Sequence, residues 1–536
     1  MHSSIVRHGA LAPCRGGRVP GLLALTSAVV VAVPLAAVAS DASAGESVAS
    51  VSFVGHGYGP GLGMGQWGDF GDAVRFHETY NKILNHFYGG TSESSLAGSS
   101  LGTDPTISVA IVENVKANGT VGYDPVVTSP SAFTITGAGS TPLTSTTTTS
   151  TTTPTTTSTT TSTTSTTTTS TTTSTTTSTT TSTTTTATPP KFSVRARITS
   201  PWPPPTTLPT PSTTTTTTPP SQVITVPAGM AVDLRLTRAG TWDVYESTSC
   251  GAARSAVGHA VPVATGLVDP KVHPASTNAR ATPQELLTLC RHDGIDEVVR
   301  GEVEAYDLQG YERTLNVLRL QSYLDGVVPA EESPSWGTAG SVVGAPQGHA
   351  WGFQALEAQA VASRSYAVAY LEAGGWNGYA SICDTVCESY VGENFESPLT
   401  DAAVADTSGE IRVARAGGEV ALTSYSASSG GWTARSAFPA VPDRGDVCVV
   451  SGNPLECNPN HTWRLALPAA LVSRRFPGIG QLVGITVAAR NGRGAFGGRV
   501  ESVVVAGTES SETVSGWNFA ASVGLPSDWF AVSSTG

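Results

Sequence analysis

The chain has 536 residues and a formal charge of −12, with 29 basic against 41 acidic residues and only 13% of positions charged. No Lys/Arg-rich patch is available to neutralise phosphates, which excludes a basic nucleic-acid binder. The 57 glycines and 35 prolines point to a loop-rich, strand-containing globular protein, and the length to roughly two to four domains.

The N-terminus carries Arg7, Arg15 and Arg18, then an apolar run from Leu22 to Ala39 and the small-residue sites Ala37-Val38-Ala39 and Ala42-Ser43-Ala44. This is the pattern of a cleaved secretory signal, read as residues 1–44. Pro34 and the small residues argue against a permanent anchor. No other stretch approaches about 18 unbroken apolar residues, so a soluble or wall-associated exported protein without a stable membrane span is expected. Cleavage removes Cys14 and leaves Cys250, Cys290, Cys383, Cys387, Cys448 and Cys457. An even number in an exported protein predicts disulfides. Proximity favours Cys448 with Cys457 and Cys383 with Cys387, leaving Cys250 with Cys290.

Within residues 45–140, the Gly-rich run Gly55–Gly65 matches neither a Walker loop nor a dinucleotide-binding turn. Alternation predicts strands at Thr106–Glu113 and Phe133–Thr136. Residues 141–221 are a low-complexity insertion, almost pure Thr and Ser from Thr144 to Thr186, with a Pro/Thr tract from Pro201 to Pro220. They offer too few apolar side chains to offset backbone ordering, so disorder is predicted. The composition fits a stalk, but predicted strands at Lys191–Ile198, Gln222–Val226 and Val232–Leu236 resume the earlier pattern. The tracts therefore read as an expansion inside one β-rich region, in a tolerant surface loop.

Residues 222–300 read as a β-rich segment and 301–536 as a core domain. Strands are predicted at Val298–Tyr306 and Thr314–Leu320. The clearest helix is Gln354–Leu371, Ala-rich and free of Gly and Pro, ending at Gly374-Gly375. Phe353, Leu356, Ala360, Ala367 and Leu371 fall at helical spacing. Further strands are predicted at Ile411–Ala414, Val420–Ser424, Gly484–Ala489 and Ser502–Ala506. The fold class is α+β, strand-dominated around a central Ala-rich helix.

Cys383 and Cys387 have no His within ten residues, so a local disulfide is preferred to zinc and no cofactor is expected. No nucleophile elbow occurs. What stands out is Ser322–Trp336, SYLDGVVPAEESPSW. Tyr323, Leu324, Val327 and Val328 predict a short packed helix, broken by Pro329 and Pro334, with Glu331 and Glu332 on a turn at its end. A carboxyl held beside apolar and aromatic groups has its ionised form disfavoured and can serve as a general acid.

These residues closely resemble the SpoIID/LytB family, the stage II sporulation protein D and amidase-enhancer group of bacterial cell-wall proteins. The resemblance is carried by Tyr323-Leu324-Asp325-Gly326-Val327-Val328 and by Ala355-Leu356-Glu357-Ala358-Gln359-Ala360-Val361-Ala362-Ser363-Arg364-Ser365-Tyr366-Ala367. Ile382-Cys383-Asp384-Thr385 with Tyr390, and Tyr425-Ser426-Ala427-Ser428-Ser429-Gly430-Gly431, are similar to later family elements. Met64, Gln66, Trp67 and Gly68 match its N-terminal glycine signature, and Ile83–Tyr88 its downstream helix and tyrosine. The resemblance implies a SpoIID-like fold and a murein-active protein. It implies a lytic transglycosylase in which one Glu protonates the glycosidic oxygen between N-acetylmuramic acid and N-acetylglucosamine. Gln359, Arg364, Tyr366, Ser428 and Ser429 become substrate-binding candidates. Peptidoglycan glycan strands are the expected partner.

Three departures stand out. The family's Glu-Met-Pro is Glu331-Glu332-Ser333-Pro334 here. Spacing from Gly326 to Trp336 selects Glu331 as catalytic, whereas anchoring on Pro334 selects Glu332. Pro60 replaces the signature's His, a role open to His56. The cysteine segment is shortened, and Glu388 stands where the family has Gln. The alternative reading is a non-catalytic wall-binding modifier that stimulates a separate murein amidase.

Deleting Thr144 to Thr186 is expected to leave the folded protein and its wall activity intact, because each doubling of loop length costs only about 0.6 kcal/mol. Thermal melts of the deletion variant check this; a large loss of stability would make the tract structural.

Overall fold

The computed structural model describes residues 48–116, 122–139, 141–142, 221–255, 261–447 and 457–535. The predicted signal segment, the Thr/Ser/Pro tracts and the predicted Lys191–Ile198 strand lie outside these. Helices and strands are both present, consistent with an α+β class. No helix among the described residues is long and apolar enough to cross a membrane.

The largest sheet is built around the strand Glu312–Arg319. It pairs antiparallel with Glu302–Asp307 on one side and with Thr106–Ala110 on the other. Thr106–Ala110 then pairs parallel with Ile382–Cys383. Segments from both sides of the insertion meet in the same sheet. Phe133–Ala138 pairs antiparallel with Ser221–Val226, in a register running from Phe133 opposite Val226 to Ala138 opposite Ser221. The alternating burial of Phe133–Ala138 places Phe133 and Ile135 in the core.

The central helix spans Phe353–Glu372, close to the prediction. It ends where the Gly375 N–H donates to the Tyr370 carbonyl at 2.8 Å, with Gly374 and Gly375 both at positive φ. Small side chains let it be covered on two sides. Ala360, Ala367 and Val368 join the core under the large sheet. Phe353, Leu356, Ala358, Val361 and Ala362 join a second core with the helices Gln66–Phe76 and Tyr80–Phe87. A third core lies under the strand Ser50–His56, which runs between Thr462–Pro468 and Phe530–Thr535. Residues near both ends of the described chain thus share one three-stranded sheet.

Three local expectations are corrected. Val298–Tyr306 is two strands, Asp296–Val299 and Glu302–Asp307. The chain changes partners between them, and Gly301 makes the break at φ 74°, where a Cβ would meet the Val317 carbonyl oxygen at 2.2 Å. Val420–Ser424 is irregular, joined to Val413 only through a bridge at Val420. Pro329 does not break its helix. Leu320–Glu331 runs through it, and the Glu332 N–H closes the last turn on the Val328 carbonyl at 2.9 Å. Only Ala330 and Glu331 follow Pro329 in the helix, which continues although the ring withholds one backbone donor.

Cys250 bonds to Cys290 and Cys383 to Cys387. Cys457 is also disulfide-bonded; Cys448, its expected partner, lies outside the described residues.

Candidate active site

The helix Leu320–Glu331 follows the strand Glu312–Arg319 without a loop, so the sheet fixes where the helix ends. Tyr323, Leu324, Val327 and Val328 are fully buried. Gly326 allows a close approach: a Cβ there would meet the Gly392 carbonyl oxygen at 2.8 Å and the Tyr390 ring at 2.9 Å. Glu331 is the last helical residue, and Glu332 is already extended at φ −127° and ψ 140°. The change in backbone sends the two neighbouring carboxyls in different directions. Glu332 is 1% exposed and turns into the protein; Glu331 remains partly exposed.

Both oxygens of Glu331 are held. Gln66 Nε2 donates to Oε2 at 3.0 Å and the Ser389 backbone N–H donates to Oε1 at 2.6 Å. Gln66 reaches this position through the glycine run. Met64–Gly65 pairs parallel with Tyr425–Ser426, and a Cβ on Gly63 would meet the Ser424 carbonyl oxygen at 1.7 Å. On Gly68 a Cβ would meet an Asp443 carboxylate oxygen at 2.2 Å. The glycines therefore serve close backbone packing, and Gln66 is the side chain this packing delivers.

Behind Glu331 stands Glu388, fully buried at 1% exposure. The hydroxyls of Tyr323 and Tyr425 each donate to one of its oxygens at 2.9 Å. Burial pushes its carboxyl up to about 8, with the nearby Glu331 charge adding to the shift and the tyrosine hydroxyls pulling against it. On the other side of Glu331, burial raises Glu332 well above the usual carboxylate range, and the Glu331 charge adds to this. Asp69 faces Glu332 and is raised in the same way by burial, then by the Glu332 and Asp443 charges.

The candidates from sequence divide into three places. Gln359 and Tyr366 join the Glu331 surroundings. Gln359 Nε2 donates to Ser363 Oγ at 2.9 Å, and Ser363 lies 3.4 Å from the Tyr425 hydroxyl. Tyr366 is partly exposed, with its ring 6.2 Å from that of Tyr425. Burial raises its hydroxyl, as do the charges of Glu388 and Glu331. Arg364 points elsewhere: it is buried and donates to the carbonyls of Val404 and Glu410. Ser428 and Ser429 donate to Asp446 at 2.8 and 3.0 Å, and Ser429 also to Asp443 at 2.7 Å. Burial opposes the charge on Asp446, but hydrogen bonds from His461, Ser428 and the Gly430 amide outweigh it and keep that carboxyl low. His56 packs against His461, Phe496 and Trp529, with ring centroids 5.2–5.7 Å apart.

Asp69, the Ser389 amide and the burial of Glu388 between two tyrosine hydroxyls are not marked by the sequence. Glu388 had a signal, its replacement of a family Gln; Asp69 and the Ser389 amide had none. The sulfurs of Cys383 and Cys387 are joined to each other and are not free ligands. A grouping of Cys250, Cys290 and Asp296 likewise has both sulfurs in a disulfide. A cavity of about 370 Å³ lined by Asn114, Tyr123, Asp233, Arg235 and His292 shares no residue with the Glu331 surroundings.

Residues 309–413 match the family model described as SpoIID, Stage II sporulation protein. No curated protein and no solved structure matches the chain.

The Glu388 carboxyl binds its proton more tightly in the fold, at about 8, than at its ordinary 4.5. Its stabilisation is complete below the ordinary value and is lost as pH rises toward about 8. Asp325, raised to about 8, and Glu357, raised to about 7, act in the same direction, burial being the leading cause for both. Melting midpoints measured from pH 5 to 8 are expected to fall, and to fall less steeply in Glu388→Gln. Identical slopes in the two proteins would show that Glu388 ionises in the fold without cost.

Proposed function

We propose that this chain, which carries a domain of the cell-wall-related SpoIID family, is an exported lytic transglycosylase that cleaves peptidoglycan glycan strands with Glu331. The observation that supports Glu331 over Glu332 is the divergence of the two carboxyls at the helix end: Glu331 is partly exposed while Glu332 is sealed at 1% exposure. A general acid must reach the glycosidic oxygen, and geometry precedes pKa in that choice.

In the reaction proposed, protonated Glu331 gives its proton to the glycosidic oxygen as the bond from that oxygen to C1 of N-acetylmuramic acid breaks. The positive charge developing at C1 faces a carboxylate, and the departing sugar leaves with a free hydroxyl. The 6-hydroxyl of the muramyl residue then attacks C1 while Glu331 takes its proton, closing a 1,6-anhydro ring and restoring the acid. No water is consumed. One carboxyl suffices, unlike the carboxylate pair of most glycosidases. Tyr366 and Tyr425, partly exposed beside Glu331, offer aromatic faces to sugar rings. The Ser389 amide and Gln66 orient the carboxyl, and the Gln66 amide can turn to present its oxygen when Glu331 carries the proton.

The second reading is a non-catalytic wall-binding modifier of a separate murein amidase. One observation favours it: both Glu331 oxygens accept N–H donors, an arrangement suited to the carboxylate rather than the acid. Digestion of peptide-stripped glycan by the mature protein separates the two. Anhydro-ended fragments by mass spectrometry support the enzyme; unchanged polymer with retained binding supports the modifier. In the enzyme, Glu331→Gln is expected to lose ~10²–10⁴-fold in rate while glycan binding persists, because the amide keeps the shape but has no transferable proton. Glu332→Gln is expected to cost far less. Full activity in Glu331→Gln would remove it from the mechanism.

A further inference from the structure

The hydrogen bond from Gln66 to Glu331 joins segments 265 positions apart. Two further acids from the same two segments lie behind it. Three residues past Gln66, Asp69 turns into the protein at 0% exposure; one residue past Glu331, Glu332 does the same at 1%. The two carboxyls face each other at short range. The Phe70 amide is directed at Asp69, but none of the four carboxyl oxygens has a hydrogen-bond partner among the described residues. No ion pair reaches either carboxyl among those residues.

Two carboxylates in contact, buried and without a cation, repel in surroundings that screen poorly. A single proton held between them turns that repulsion into a short charge-assisted O–H···O bond. We propose that Asp69 and Glu332 form a one-proton clasp that positions Gln66 against Glu331. The pair touches no substrate and acts through Gln66. The kinetic part of this inference rests on the reading of Glu331 as the reacting acid; the clasp itself does not.

The titratable groups facing the pair are acids or phenols. Glu331 faces it from the same helix end, Asp443 from the loop before Asp446, and Tyr88 from beyond the helix Tyr80–Phe87. Asp443 is itself buried beside Asp446 and Asp72. The Glu331 and Asp443 charges resist a second negative charge on the pair, and the Tyr88 phenol, raised well above its ordinary value by burial, brings no cation to offset it. The clasp therefore holds while one proton remains, and opens on the alkaline side when that proton leaves. Opening separates the Gln66 helix from the Glu331 helix.

Asp69→Asn tests this, because the amide supplies a permanent N–H to Glu332 in place of the titrating proton; Glu332→Gln makes the same exchange from the other side should Asp69→Asn fail to fold. Melting midpoints and glycan cleavage are followed from pH 5 to 10 in both proteins. The clasp predicts that the alkaline fall in melting midpoint moves up by at least about one pH unit in Asp69→Asn. It also predicts that the alkaline limb of kcat moves with it while KM stays, and that this gain vanishes in a Gln66→Ala background. An unmoved melting profile overturns the clasp, whether or not the protein cleaves glycan. A moved melting profile with an unmoved kcat limb overturns the positioning role and leaves a purely structural pair. A moved melting profile with no cleavage by either protein upholds the clasp and overturns the catalytic reading of Glu331.

Discussion

Several carboxyls are packed around Glu331 without cations beside them. Asp69, Glu332 and Glu388 are all at most 1% exposed, and none of them takes part in an ion pair among the described residues. A buried charge without a partner is expensive, and the group neutralises instead. In the clasp proposed above, a shared proton takes the place that an arginine or lysine would otherwise fill. The low charge content of the chain agrees with that arrangement: with 13% of residues charged, few cations are available to pair with inward-facing acids. The buried Arg364 donates instead to backbone carbonyls near the end of the helix Pro398–Asp406.

The tyrosines give the acids their geometry. Tyr323 and Tyr425 come from a helix and a short strand far apart in sequence, yet both hydroxyls meet at Glu388. The carboxyl they hold belongs to the residue just before Ser389, whose N–H fixes Glu331. One dipeptide thus links the buried acid to the exposed one. The Cys383–Cys387 disulfide closes the turn immediately before it, so the dipeptide leaves a constrained loop rather than a free one. The result is a partly exposed carboxyl whose orientation is set by rigid neighbours on every element it touches.

Legibility from sequence followed the range of the forces involved. The helix Phe353–Glu372 was readable because its composition and its glycine stop are local facts. The helix end at Glu331 and Glu332 was readable because it sits in a contiguous motif. The split of Val298–Tyr306 was not, since Gly301 interrupts an alternating run only because Val317 passes beside it. Pro329 was read as a breaker by a local rule, but the buried packing of Tyr323, Leu324, Val327 and Val328 carries the helix through it to Glu331. Asp69 was invisible for the same reason as the Gly301 break. An Asp in an N-terminal helical turn is ordinary on local grounds, and only the folded chain turns it inward onto Glu332.

The adjacency of Glu331 and Glu332 now has a physical account. A helix that stops between two residues points their side chains apart, so one carboxyl can face solvent while the next is sealed. Sealing a Glu at that position is tolerable only where another group can share its proton, and Asp69 is placed to do so. An apolar residue at 332, such as the Met of the family pattern, would need no such partner and would leave Asp69 buried alone. The acids at 69 and 332 therefore form a unit: each makes the other's burial possible, and together they brace the Gln66 and Glu331 segments through a contact that neither could make with an ionised neighbour.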